Sequence, residues 1–120
     1  MSDTTTRSIK TVKSVNAHIT VPPSKSYTNR ALIVSALADG LSILSNTSSS
    51  DDSLYLIQAL RHFGIELVAS DTQIQVQGSN GKPAAPANEI FIGNAGTALR
   101  FLTTFSCLAN GQTHLTGDEA

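Results

Sequence analysis

Lys25 and Arg30 are cationic side chains placed among small hydroxyl residues. Lys25 lies between Ser24 and Ser26, and Arg30 follows four residues after Ser26. Two prolines precede this stretch and an apolar run at 31–38 follows it, so the pattern predicts a helix that begins here. The free N–H groups and the positive dipole end of a helix start favour an anion. These residues therefore indicate a cationic pocket for a small anion.

A purely structural interpretation of the same stretch stays open at this point. Ser24 or Ser26 would then cap the helix, and Lys25 and Arg30 would be solvated charges. Because short cationic motifs match by chance, we favour that interpretation for this stretch taken alone.

A second stretch has the same organisation. Apolar residues at 90–92 run into a turn of small residues that includes Gly93, Asn94 and Gly96, and Arg100 lies in the first turn of the helix that follows. Glycine lets a ligand approach the bare main chain. Taken alone, the glycines are explained about equally well by a tight strand-to-helix turn.

An internal repeat joins the two stretches. Leu37-Ala38-Asp39-Gly40 recurs as Leu108-Ala109-Asn110-Gly111, an offset of 71 positions, and Thr97 falls on Ser26 at the same offset. The repeat predicts an α/β (α+β) fold built from strand–helix–strand–helix–strand–strand units. About one and a half units are present, a complete one at 22–88 and an incomplete one at 89–120.

Hydrophobic periodicity predicts the elements that position these residues. Residues 15–21 alternate and predict a strand that ends at the prolines. The helix that follows, up to residue 38, is apolar on nearly every side and is expected to be buried. Further strands are predicted at 41–45, 65–68, 73–77 and 90–92, with a turn at 69–72 and a last helix that runs to Ala109.

Asp51 and Asp52 follow Ser50 at the start of another predicted helix, which continues to Gly64. Carboxylates in a first turn stabilise the helix dipole, and a serine before them is a good N-cap. We favour this capping role about four to one over general acid–base chemistry or a metal site.

Composition narrows the class of partner. Charged residues make up 14 % of the 120 residues, below the roughly 25 % typical of soluble domains, so part of the surface is expected to meet another surface. The net charge of −1 argues against a nucleic-acid partner, and no apolar run is long enough to span a membrane.

The single cysteine, Cys107, is expected to be a buried thiol in a cytoplasmic protein. The three histidines lack metal-ligand spacing, so we expect no metal and no cofactor.

Three motifs make the chain resemble the 5-enolpyruvylshikimate-3-phosphate (EPSP) synthases. They are Pro-Ser-Lys-Ser-x-x-Asn-Arg-Ala-Leu at 23–32, Ser-Asp-Asp at 50–52 and Gly-Asn-Ala-Gly-Thr-Ala-x-Arg at 93–100. The sequence from Thr116 to Glu119 matches the start of a fourth motif. The sister family, which transfers enolpyruvyl to a UDP-amino sugar, usually has Lys-Asn in the first motif and is the poorer match. A non-catalytic structural module built from the same unit is the other alternative.

The resemblance implies two globular halves with the active site in the cleft between them. Residues 1–21 would belong to the other half of the full enzyme, and residues 22–120 would form part of one half. The implied reaction adds the enolpyruvyl group of phosphoenolpyruvate to shikimate 3-phosphate and releases phosphate, in aromatic amino acid biosynthesis. This chain is expected to be a fragment, inactive alone, whose partners are the two substrates and the missing remainder of the enzyme.

The resemblance also implies roles for single residues. Lys25, Ser26 and Arg30 would bind shikimate 3-phosphate, and Lys25 would also contact phosphoenolpyruvate. Asn94 and Gly96 would line the phosphoenolpyruvate side, and the implied catalytic acid and base lie outside this chain. Thr97, Arg100 and Asp51 would support the site. The chain departs from the family pattern at Ala120, where an arginine that binds phosphoenolpyruvate is usual. Two further departures, Phe101 in place of proline and Pro23 in place of glycine, lie where they would reshape the pocket.

Overall fold

The computed structural model describes residues 6–71 and 73–119, in which helices and strands alternate. The elements are α1 (Lys25–Leu37), β1 (Leu41–Ser45), α2 (Asp51–His62), β2 (Glu66–Ala69), β3 (Gln73–Gln77), β4 (Ile90–Phe91), α3 (Gly96–Ser106) and β5 (Leu115–Thr116). The mixture confirms the predicted α/β class. Over the described ranges, no helix is both long and apolar enough to cross a membrane.

The first three strands form an antiparallel sheet in the order β1-β3-β2. Its register places Ile43, Gln75 and Val68 side by side on the outer face, where both apolar side chains are more than half exposed. The alternate residues, such as Ile74 and Val76, point inward and are buried. The hairpin between β2 and β3 is confirmed, although its predicted turn includes Thr72, which lies outside the described residues.

The three helices share one hydrophobic core with the inner face of this sheet. Phe63, at the end of α2, meets Phe105 of α3 edge-to-face with ring centroids 5.1 Å apart. Strands β4 and β5 are parallel and flank α3, which connects them. The buried apolar side chains at the centre include Leu32, Leu56, Leu60, Phe63, Val76, Ile90, Leu102 and Phe105. The second motif stretch is therefore packed against the first.

Helix α1 corrects one expectation, because it is buried on one face only. Leu32 and Ala36 are fully buried, whereas Val34 is 67 % exposed. The apolar composition of α1 predicted burial on every side, but burial requires a neighbour on every side. In the part of the chain that the structure describes, Val34 has no such cover.

The predicted strand at 15–21 is also wrong for this structure. Residues 6–24 contain no strand, and Ile19 and Val21 are about as exposed as in an extended chain, at 80 % and 74 %. A strand needs a neighbour for its backbone N–H and C=O groups. None of the described strands pairs with this segment.

The end of α3 differs from prediction as well. The helix ends at Ser106 rather than Ala109, and Cys107 is its C-cap. The Cys107 thiol is exposed, with its Sγ 3.4 Å from the Thr103 carbonyl oxygen, so the expected burial is wrong. The cysteine follows the last helical turn and does not reach the core.

Candidate functional site

The start of α1 carries the first group of predicted site residues. Ser24 is the N-cap, and its hydroxyl accepts a hydrogen bond of 3.3 Å from the backbone N–H of Tyr27. Lys25 is therefore the first residue of the helix rather than part of the turn before it. The structural interpretation is correct about the cap, and the cap places Lys25 and Ser26 where the helix dipole is most positive.

Lys25 is paired with a carboxylate from the next helix. Its Nζ lies 3.0 Å from Oδ2 of Asp52, in the first turn of α2. The Lys25 side chain is 49 % exposed, so it can exchange this partner for a ligand anion. Sequence reasoning assigned Asp52 only to helix capping and missed this contact.

Asp51, which the resemblance named as a supporting residue, lies on another part of the surface. It lines a separate groove with Leu54, Tyr55 and Gln58. Which carboxylate meets Lys25 depends on how α2 is rotated against α1.

Arg30 lies one turn after Ser26 on the exposed side of α1. Its Nη1 donates a hydrogen bond of 2.9 Å to the Ser26 carbonyl oxygen, and its guanidinium carbon lies 5.7 Å from the centroid of the Phe101 ring. Arg30, Ser26 and Tyr27 line a groove of about 300 Å³. Among the described residues the guanidinium makes this one hydrogen bond, so its remaining N–H groups can bind a carboxylate or phosphate.

The second group of predicted residues lines a cavity of about 260 Å³ at the start of α3. Asn94 and Gly96 contribute to its wall from the β4–α3 turn, and Thr116, Gly117 and Asp118 contribute from the end of β5. Thr97 and Arg100 lie in the first turns of α3 and are exposed, but they do not line this cavity.

Two glycines make this close approach of chain segments possible. Gly93 has a φ of +52°, and a Cβ there would lie 2.7 Å from the Tyr55 ring. A Cβ at Gly117 would collide with the carbonyl oxygen of Gly93. The backbone N–H of Asp118 also donates to the Gly93 carbonyl, at 3.3 Å. Bare main chain therefore forms this wall, which suits a small charged ligand.

The two groups are joined through α1 and α3. Arg30 of the first group packs on Phe101, which follows Arg100 on the helix that begins at Gly96. Within residues 6–71 and 73–119, no three His, Cys, Asp or Glu side chains lie close enough together to hold a metal ion. The arrangement can offer a lysine, an arginine and helix-start N–H groups to small anions.

These features define an α/β unit in which one helix begins at Lys25 and another at Gly96, and the comparisons with known proteins agree on one family. Residues 9–120 match the family EPSP synthase (3-phosphoshikimate 1-carboxyvinyltransferase), and the chain belongs to this family. A 3-phosphoshikimate 1-carboxyvinyltransferase of Methanococcus maripaludis is 44 % identical over 113 residues, which cover 93 % of this chain and 26 % of that protein. The enzyme of that name from Vibrio vulnificus is 43 % identical over 114 residues, or 92 % of this chain and 26 % of its own length.

A solved structure agrees at the level of the fold. EPSP synthase from Acinetobacter baumannii superposes with a TM-score of 0.79 and 27 % identity, over 83 % of this chain and 23 % of that structure. The chain thus spans about a quarter of the length of the relatives that it matches.

Proposed function

We propose that the protein to which this chain belongs transfers the enolpyruvyl group of phosphoenolpyruvate to the 5-hydroxyl of shikimate 3-phosphate and releases phosphate. The observation that carries the proposal is the joint placement of Lys25, Ser26 and Arg30 at the start of α1, in a member of the EPSP synthase family. Both substrates are small and multiply anionic, which matches two cations at a helix start.

The proposed roles of Lys25, Ser26 and Arg30 follow from their chemistry. Arg30 has a planar fork suited to a carboxylate or a pair of phosphate oxygens of shikimate 3-phosphate. Ser26 offers a hydroxyl to the same ligand. Lys25 is a mobile point charge, so it can serve shikimate 3-phosphate and phosphoenolpyruvate in turn or together. Substrate binding would replace its contact with Asp52.

Phosphoenolpyruvate is assigned to the cavity at the start of α3. Asn94 can donate from its side-chain amide, and Gly96 lines the cavity without a side chain in the way, while its own backbone N–H donates to the Asn94 carbonyl oxygen at 3.2 Å. Thr97 and Arg100 are assigned supporting roles beside this cavity, and Asp51, in its separate groove, is assigned a supporting role through the start of α2 rather than by ligand contact. Addition of the hydroxyl oxygen to the enol ether carbon requires protonation of the methylene carbon and loss of the hydroxyl proton. We assign both proton transfers to groups outside this chain.

We infer the following organisation of the complete protein. Residues 1–21 pair within the other globular half, which would give the exposed apolar side chains between Ile9 and Val21 a partner. Residues 22–88 form one repeated unit and residues 89–120 part of a second. The proposal is supported by α3, which begins 71 residues after α1, at the offset of the sequence repeat. A cytoplasmic setting fits a biosynthetic enzyme with an exposed unpaired thiol.

Phosphate release tests the proposed activity in the complete protein that carries this chain. We expect release from phosphoenolpyruvate only when shikimate 3-phosphate is present, and no turnover by the 120-residue chain alone. Shikimate 3-phosphate should also protect Lys25 from amine-modifying reagents. Protection by UDP-N-acetylglucosamine instead would point to the sister activity, and phosphate release that needs no shikimate 3-phosphate would reject the proposal.

Phe101→Leu should weaken shikimate 3-phosphate binding through Arg30. An exposed cation–π contact is worth about 0.5–1 kcal/mol, so the dissociation constant should rise about two- to fivefold. Phe101→Tyr keeps an aromatic face under the guanidinium and is the matched control. Calorimetric titration of both variants in the complete protein checks this, and equal affinities for Leu and Tyr variants would show that the ring does not act on Arg30.

A further inference from the structure

A buried polar pair connects the starts of α1 and α2, next to the Lys25–Asp52 contact. Asn29 of α1 and Ser53 of α2 are both fully buried, and the Ser53 hydroxyl donates a hydrogen bond of 2.8 Å to Oδ1 of Asn29. Asn29 lies four residues after Lys25, so the two share a face of α1. Ser53 directly follows Asp52. The same two helix surfaces therefore carry the ion pair and the buried pair.

Further hydrogen bonds extend this connection to the segment before α2. The hydroxyl oxygens of Ser50 and Ser53 lie 3.1 Å apart, and the backbone N–H of Ser50 donates to the Ser48 hydroxyl at 3.3 Å. The backbone N–H of Ser48 in turn donates to the hydroxyl of Thr28, at 2.9 Å. Polar contacts thus run from α1 through residues 48–53 and back to α1.

The buried pair restricts how α2 can sit against α1. Within the described residues, Nδ2 of Asn29 is buried without a hydrogen-bond partner, and the Ser53 hydroxyl is bonded to the other end of this amide. A shift of α2 along α1 would leave the whole amide unpaired in the core. Such a loss is costly because water cannot reach the group.

We propose that Asn29 and Ser53 are positioning residues that hold the first turn of α2 against α1 and so keep the Lys25 ammonium on Asp52. Neither residue reaches the surface, so neither contacts substrate. Their effect on substrate is exerted through Lys25. The inference rests on the proposed function for its consequence in binding, but the placement of the ammonium can be tested without any substrate.

The test is the acylation rate of Lys25 in the complete protein carrying Ser53→Ala. A lysine held on a carboxylate reacts slowly, so loosening α2 should speed its labelling by acetyl N-hydroxysuccinimide. We expect the rate for Lys25, relative to that of the exposed Lys82, to rise about fivefold, the factor that one ordinary hydrogen bond supplies. Mass spectrometry of the peptides gives both rates from one sample.

Ser79→Ala is the matched control. It removes a hydrogen bond of 2.8 Å between the Ser79 hydroxyl and the Ala36 carbonyl, at the far end of α1. A general loss of stability would affect both variants, whereas the proposal requires a faster Lys25 only in Ser53→Ala. The proposal would be overturned if the labelling rate of Lys25 relative to Lys82 stayed unchanged in Ser53→Ala, or rose equally in both variants.

Ser50→Ala covers the case in which Ser53→Ala does not fold. Ser50 is only half-buried, and its hydroxyl is bonded to that of Ser53, so its removal loosens the Ser53 hydroxyl and weakens its bond to Asn29, and a rise of about twofold is expected. No rise in a folded Ser50→Ala protein would reject the proposal in that case. Protection of Lys25 by shikimate 3-phosphate is measured alongside. Faster labelling of Lys25 without protection by shikimate 3-phosphate would support the positioning role and reject the proposed substrate. Protection without faster labelling would support the substrate and reject the positioning role.

Discussion

Lys25→Met in the complete protein should lower kcat/KM about a thousandfold while the protein stays folded. In the proposed site this ammonium contacts both anionic substrates, and hydrogen bonds to charged groups are worth about 1.5–3 kcal/mol each. Loss of two such contacts amounts to roughly 4 kcal/mol of transition-state binding. Initial rates of phosphate release, measured over a range of both substrates, give the value directly.

The fold should tolerate this change because the lost ion pair is accessible to water. Lys25 is 49 % and Asp52 is 25 % exposed, and exposed pairs contribute only about 0–1 kcal/mol to stability. Lys25→Arg keeps the charge but replaces a mobile point charge by a fork, so it should recover only part of the activity. Lys82→Met, at an exposed lysine outside the site, should be neutral. A kcat/KM of Lys25→Met within tenfold of the natural value would show that this lysine does not belong to the site.

Local patterns were sufficient to place most helices and strands, because periodicity and caps act over a few residues. The alternation at 73–77 predicted β3, and Ser50 marked the start of α2. The same patterns failed where the outcome depended on a distant neighbour. Residues 15–21 alternate as a strand does, yet they remain unpaired because no described strand lies beside them.

The same distinction applies to the site: positions within one segment could be predicted from the sequence, and contacts between segments could not. Motif spacing placed Lys25 and Arg30 on one helix start, since both belong to a single segment. The contact between Lys25 and Asp52 joins two helices, and the partner of Asn29 is a serine that no cationic or glycine motif includes. Only the packing angle and rotation of α2 against α1 decide these contacts.

Gly96→Ala should weaken phosphoenolpyruvate binding without a loss of stability. A Cβ at Gly96 meets no atom within 4 Å, and this glycine lacks the left-handed backbone that a side chain would strain. Alanine is also the better helix former, by about 0.5–1 kcal/mol in a helix interior. The free energy of unfolding in urea should therefore stay equal or rise slightly.

The added methyl would stand beside the cavity that Gly96 lines. Overpacking of a close-fitting site costs about 1–3 kcal/mol, which corresponds to a dissociation constant for phosphoenolpyruvate about 5- to 150-fold higher. Shikimate 3-phosphate, assigned to the start of α1, should change by less than about threefold. Fluorescence or calorimetric titration with each ligand separates the two effects.

Gly117→Ala is the matched control for Gly96→Ala, because it adds one methyl to the same cavity wall. There the Cβ would collide with the Gly93 carbonyl oxygen, a backbone atom that cannot move aside without displacing the β4–α3 turn. We expect a lower free energy of unfolding, by about 1–3 kcal/mol, together with weaker binding of phosphoenolpyruvate. The pair of variants thus separates a change in ligand space from a change in fold. If Gly96→Ala weakened the binding of both ligands equally, phosphoenolpyruvate would not bind in the cavity that Gly96 lines.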